Sequence, residues 1–142
     1  MPKSARGVLA KKWPNWQLAS IDSSAGACLA GKPAQARVTG DFDYDDHVDI
    51  AAAIQTGLGT RLVALIWRSW GYDLYDIDAL GEQTASGYLE IASHGTKFVN
   101  PTTMLPDFFS GNTLTVRACG KPATAYTWNG VGFSKLKIAG SS

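Results

Sequence analysis

The stretch Val48-Asp49-Ile50-Ala51-Ala52-Ala53-Ile54 sets Val48, Ile50, Ala52 and Ile54 against Asp49, Ala51 and Ala53. Successive side chains of a β-strand point to opposite faces, so an alternation of period two reads as a strand. Downstream, Arg61 to Trp70 is apolar on both faces until Arg68 and Ser69, as expected of a central strand buried on both sides. Tyr72 to Ile77 and Tyr88 to Ala92 continue the pattern. Leu114, Val116 and Ala118 alternate with Thr113, Thr115 and Arg117, the pattern of a strand with one wet face. The strongest hairpin signal is C-terminal. Thr124, Tyr126 and Trp128 line one strand face, Asn129-Gly130-Val131-Gly132 tolerates positive φ, and Phe133 to Ile138 returns.

Upstream, residues 4–13 read as a helix: Ser4 is placed to cap it, Val8, Leu9, Lys12 and Trp13 share a face, and Pro14 stops it. Trp13 and Trp16 flank Pro14-Asn15, a turn that lets both indoles pack on one sheet face. Residues 22–34, rich in Ser, Ala, Gly and Pro, read as a loop. The expectation is one α+β domain over residues 1–142. It has an N-terminal helix at 4–13 and a mostly antiparallel β core at 35–138, with seven or eight short strands arranged as a meander or sandwich. No internal repeat is present, which excludes a multi-bladed propeller.

Composition agrees with a globular chain: 142 residues, 45% apolar, 18% charged, with 15 glycines and 6 prolines suited to tight turns. A net charge of +1 argues against a nucleic-acid binder. No membrane span is read, since the apolar run Leu62–Trp67 falls far short of the roughly 18 residues required. Nor does the N-terminus read as a signal peptide, because Lys11 and Lys12 cut off Val8-Leu9-Ala10. Cys28 and Cys119 lie 91 positions apart without metal-ligand spacing. They read either as a disulfide of an exported, periplasmic or extracellular protein or as two buried thiols. If joined, they stabilise the fold by about 4 kcal/mol in the chain-entropy model.

Charge is segregated along the chain. Residues 1–37 carry +5, residues 38–78 carry −6 and residues 79–142 carry +2. Five of the ten aspartates fall between 41 and 49, in Gly40-Asp41-Phe42-Asp43-Tyr44-Asp45-Asp46-His47-Val48-Asp49-Ile50-Ala51. Such crowding destabilises a folded chain unless a cation offsets it. Counting from Asp41, carboxylates occupy positions 1, 3, 5 and 9, and His47 at position 7 would offer its backbone carbonyl. Calcium, a hard ion taking six to eight oxygens, suits alternating aspartates that converge from a tightly wound loop. Ala52 stands where an EF-hand has its bidentate glutamate, so the loop is not an EF-hand. A solvated acidic turn or an empty loop is the bland alternative.

The segment "GDFDYDDHVDIAAAI" resembles the G-D-F-D-G-D-G-x-x-D-hydrophobic-A motif of FG-GAP and VCBS-type repeats, in which the loop feeds directly into a strand. Lys12-Trp13-Pro14-Asn15-Trp16 and Trp128-Asn129-Gly130-Val131-Gly132-Phe133 are similar in outline to small exported bacterial proteins carrying one such motif. The resemblance implies calcium ligands at Asp41, Asp43, Asp45 and Asp49, an exported protein and no established enzymatic activity. Tyr44 and Asp46 stand where the motif has glycine, and at position 6 a left-handed backbone costs an aspartate about 1 kcal/mol.

Catalytic signals are weak. His47 and His94 are the only histidines, and no G-x-S-x-G, H-E-x-x-H or glycine-rich phosphate loop occurs. A small hydrolase would have to use His94, in Ser93-His94-Gly95-Thr96, with partners that the sequence does not identify. Tyr72, Asp73, Tyr75, Asp76 and Asp78 form an acidic-aromatic cluster. Strict alternation places Tyr72, Leu74, Asp76 and Asp78 on one face and Asp73, Tyr75 and Ile77 on the other. Ordinary strand packing accounts for the tyrosines. Exposed, the acids would suit a basic protein partner, as in an inhibitor or immunity protein of a secreted enzyme. The favoured expectation is an exported, calcium-stabilised, non-enzymatic binding protein.

Overall fold

The computed structural model describes residues 1–82, 84–109 and 111–138. One α-helix, α1 (Lys3–Lys12), precedes eleven strands: β1 (Gln17–Leu18), β2 (Arg37–Gly40), β3 (Asp49–Thr56), β4 (Gly59–Arg68), β5 (Gly71–Gly81), β6 (Tyr88–Ala92), β7 (Lys97–Val99), β8 (Pro106–Phe108), β9 (Thr113–Arg117), β10 (Ala123–Trp128) and β11 (Phe133–Ile138). All pairings between these strands are antiparallel. The architecture is mainly β with a single N-terminal helix, as the alternation and the turn signals indicate. The strand number is higher than seven or eight because β1, β7 and β8 span only two or three residues each. Such pieces are too short to display a period. β1 also brings the β region forward of residue 35.

The molecule is built in layers. The first sheet runs β1-β3-β4-β5, with β2 also paired to β3; the second runs β11-β10-β9-β6. Phe42, Ala51, Ala53, Leu62, Ala64 and Ile66 meet Leu89, Leu114 and Tyr126 in the core between the sheets. The outer face of the first sheet is covered by α1, whose Ala5 and Leu9 pack on Ile50, Ala52, Ile54, Val63 and Leu65. Trp13 and Trp16 lie against that same cluster, so both indoles do share one sheet face. The β7–β8 hairpin lies beyond the second sheet, where Phe98 and Phe109 join Ala92, Ala123, Ala125 and Ile138.

Several local readings are corrected. Ser4 does not cap α1: the helix starts after Pro2 (φ −59°), whose carbonyl accepts the first helical bond from Arg6 N at 3.0 Å. Proline's fixed φ suits a helix start, so the turn begins earlier than the serine. The face of β9 carrying Thr113 and Thr115 is dry, with exposures of 2% and 0%. Their hydroxyls donate to the carbonyls of Gly111 (3.1 Å) and Glu90 (2.9 Å), which is how threonine is accommodated there.

The C-terminal turn follows its residues closely. Trp128 pairs with Phe133, Gly130 has φ 99°, and Asn129 Oδ1 accepts from Val131 N (3.0 Å) and Gly132 N (2.9 Å). Cys28 and Cys119 form a disulfide with Cα atoms 5.6 Å apart. The bridge ties a short 3-10 turn (Ala27–Leu29) to the connection between β9 and β10, where Cys119 N also donates to Ala25 O at 2.9 Å. No helix among the described residues is long and apolar enough to cross a membrane.

Candidate metal centre

The loop of residues 41–48 connects β2 to β3, and Gly40 pairs with Asp49 at its base. Phe42, 1% exposed, anchors the loop in the inter-sheet core, and its ring comes so close to Gly40 that a Cβ there would lie 3.3 Å from it. On either side of this anchor, Asp41 and Asp43 converge with Asp45 and Asp49: one oxygen from each of the four carboxylates lies within 4.8 Å of all the others. All four predicted carboxylate ligands are therefore brought to one point.

The carboxylates also wind the loop. Asp41 accepts from Asp45 N (3.0 Å) and Asp46 N (2.7 Å), and Asp45 accepts from His47 N (3.0 Å). Asp49, fully buried, accepts from Phe42 N and from Trp67 N on β4, both at 2.9 Å. Tyr44 (φ 62°) and Asp46 (φ 66°) are both left-handed, at the two positions where the resembled motif carries glycine. Such strain persists only where the surroundings over-determine it. For Tyr44 the surroundings are visible: its ring packs against Gly111, where any Cβ would overlap it. His47 stacks its ring on Trp67, with centroids 3.8 Å apart, and its ring nitrogens are not among the clustered ligand atoms.

One cation reaches the cluster from within the chain. Arg68, at the end of β4, donates through Nη1 to Asp43 Oδ2 at 2.6 Å and stands 4.0 Å from Asp45 Oδ2. Its Nε donates to Asp73 Oδ2 at 3.2 Å, and its guanidinium lies 6.0 Å from the centre of the Trp128 ring. Proximity to Asp43 above all holds Arg68 protonated beyond its ordinary range. One positive charge among four carboxylates leaves the cluster short of neutrality. Burial pushes Asp49 up to about 7; the Trp67 and Phe42 amides resist, while neighbouring Asp43 adds to the rise. Burial likewise raises Asp43 against the pull of Arg68. Burial also acts on Asp45, but there the His47 amide and neighbouring groups outweigh it and hold the carboxyl low. Asp43 Oδ1 is buried and without a hydrogen-bond partner, on a side chain only 5% exposed.

Nothing in the local sequence around Arg68 marks it as part of this centre. The signal was a lone arginine closing an apolar strand, 25 positions from Asp43, and only the β3–β4 pairing brings the two together.

The acidic-aromatic segment 72–78 is arranged differently. A bulge displaces Ile77, so that Asp76 lies opposite Val63 and Asp78 opposite Leu62. This corrects the strict alternation: Asp76 faces α1, and Asp78 faces the second sheet. Asp76 pairs with Arg61 (3.0 Å) and Lys12 (3.9 Å). Asp78 accepts from Tyr126 Oη (2.7 Å) and pairs with Lys135 (2.8 Å). Asp73 takes Arg68 and the Trp70 indole N–H, at 3.3 Å. Tyr72 and Tyr75 pack against opposite cores, and Tyr75 meets Trp128 and Phe133 edge-on at 5.4 and 5.9 Å. His94 lies exposed on the turn between β6 and β7, and none of the ion pairs among the described residues includes it.

The geometry thus supplies an acidic cluster able to hold a metal ion and one disulfide. Comparison of the chain with family models, with curated proteins and with solved structures yields no match.

Proposed function

We propose that the 41–49 loop binds a divalent cation of the calcium type, and that the protein is an exported, non-enzymatic binding protein whose first sheet this ion braces. The observation that carries the reading is Asp43 Oδ1: a buried carboxylate oxygen with no partner, set among three other carboxylates. Leaving such an atom unpaired costs about 1–3 kcal/mol or more, and a cation bound there would remove that cost. The clustered donors are all carboxylate oxygens and both cysteines are bridged, which favours a hard ion over a soft one. The left-handed backbone at Tyr44 and Asp46 supports the likeness to the FG-GAP and VCBS loop. The disulfide supports an oxidising compartment. The acids of residues 72–78 are engaged within the chain, which weakens the case for that segment as an inhibitor's docking face.

The test is calorimetric titration and thermal unfolding of chelator-stripped protein. At a hundredfold excess over its Kd, calcium stabilises by about 2.7 kcal/mol, which raises Tm by roughly 5–10 °C in a domain of this size. Magnesium, which demands a tighter octahedron, should do much less, and Asp43→Asn with Asp45→Asn should abolish both heat and shift. No heat and no shift in the unaltered protein at millimolar calcium would overturn the reading.

A further inference from the structure

We infer that Arg68 is an internal competitor for the cation: its guanidinium holds Asp43 when the ion is absent and gives Asp43 up, keeping Asp73 and the Trp128 ring beside it, when the ion binds. This rests on the cation reading and deepens it, because it names the residue that sets the affinity. Arg68 Nη1 sits 2.6 Å from Asp43 Oδ2 and 4.0 Å from Asp45 Oδ2, so it already touches or approaches two of the four proposed ligands. A divalent ion seated among the same oxygens would lie within a few ångströms of the guanidinium, where like charges in a partly buried site repel strongly.

The retreat is already built. Arg68 Nε is bonded to Asp73 Oδ2 at 3.2 Å, and the Trp128 ring centre lies 6.0 Å from the guanidinium carbon, within reach of a cation–π contact. Rotation about the outer side-chain bonds would carry Nη1 off Asp43 with Asp73 still within reach of the guanidinium, so the backbone of β4 need not move. The loop is therefore supported in both states, by arginine in one and by the metal in the other. The cost is weakened metal binding, because the ion must displace a resident charge. The opposite arrangement would have Arg68 orient Asp43 for the ion by holding Oδ2 while Oδ1 coordinates, and it predicts the reverse effect of removing the arginine.

The experiment measures calcium binding by titration calorimetry for the unaltered protein, Arg68→Met, Arg68→Lys and Asp73→Asn. Arg68→Met should bind calcium at least tenfold more tightly, as expected for removing a unit charge near a divalent ion, and should have a lower Tm in chelator. Arg68→Lys keeps the charge and should stay near the unaltered affinity. Asp73→Asn removes a partner that Arg68 keeps in both states, so it serves as a control whose affinity should change less than that of Arg68→Met. If Arg68→Met does not fold without calcium, Arg68→Gln makes the same test: it also removes the charge and should likewise bind at least tenfold more tightly. A second readout is tryptophan emission: the change on adding calcium should be smaller in Trp128→Phe than in the unaltered protein, and an equal change would count against the inference. Unchanged or weakened binding in Arg68→Met, or in Arg68→Gln should the methionine variant not fold, would overturn the inference. Binding by Arg68→Met alone would sustain it while removing calcium from the unaltered protein; binding by neither would remove both.

Discussion

Two acidic segments of this chain, residues 41–49 and 73–78, use the same side chain and reach opposite electrostatic outcomes. On β5 the aspartates are spread among separate donors: the Trp70 indole and Arg68, which the loop also uses, for Asp73, Arg61 and Lys12 for Asp76, Lys135 and Tyr126 for Asp78. In the loop four carboxylates face one another, share a single arginine, and rely on backbone N–H groups for the rest. A strand edge spreads its charges along a rise of about 3.3 Å per residue, whereas a wound loop gathers them. Local aspartate density is thus less informative than whether the backbone disperses or converges.

The contrast breaks most sharply at Asp49 against Asp76. Replacing Asp49 by alanine orphans the Phe42 and Trp67 amides and should cost about 3–5 kcal/mol in denaturant unfolding. A cost below 1 kcal/mol would show that Asp49 does not knit the loop to β4.

A titration separates the segments next. Asp49, raised to about 7 by burial, binds its proton more readily when folded. Its contribution is therefore full below the unfolded carboxyl pKa of about 4 and lost as pH rises through about 7, an effect on the order of 2–4 kcal/mol in chelator. Asp78 is held low: burial opposes this, but Lys135, Tyr126 and the Ala79 amide prevail. Its contribution is present above about pH 4 and is lost only as pH falls through its lowered pKa. Unfolding midpoints between pH 3 and 8 should fall from pH 4 to 7 because of the loop, and should fall below pH 4 because of β5. Asp49→Asn should flatten the first slope and leave the second. A monotonic rise from pH 4 to 7 in chelator would contradict the assignment.

The smallest effect is expected at Asp76. Its pairs with Arg61 and Lys12 are partly solvated, so Asp76→Asn should cost less than about 1 kcal/mol and the loss should shrink in high salt. A larger, salt-insensitive loss, read from the same unfolding curves, would mean that β5 depends on its ion pairs as the loop does on its own.

Much of this contrast was legible in the chain. The spacing of Asp41, Asp43, Asp45 and Asp49 anticipated their convergence, and Asp46 was recognised as the residue asked to adopt a left-handed backbone. Alternation located β3, and Asn129-Gly130-Val131-Gly132 located the last turn. The parts not legible depend on pairing between distant segments. The bulge at Ile77, which sends Asp76 and Asp78 to opposite faces, arises from register against β4 and leaves no mark of its own. Thr113 and Thr115 look like a solvent face until the chain between β6 and β9 folds over the second sheet. Arg68 joins the centre only through the pairing of β3 with β4.

One terminal strand of each sheet, β5 in the first and β11 in the second, bears on self-association. Each lacks a second neighbour among the described residues and so offers free backbone groups to another chain. Lys135 and Lys137 stand exposed along β11, while β5 carries Asp73, Asp76 and Asp78. Charges on a bare edge discourage another copy from adding a strand. The 2.8 Å pairing of Lys135 with Asp78 engages these opposite charges within one molecule, so the two rims are joined to each other and less free to recruit a second copy.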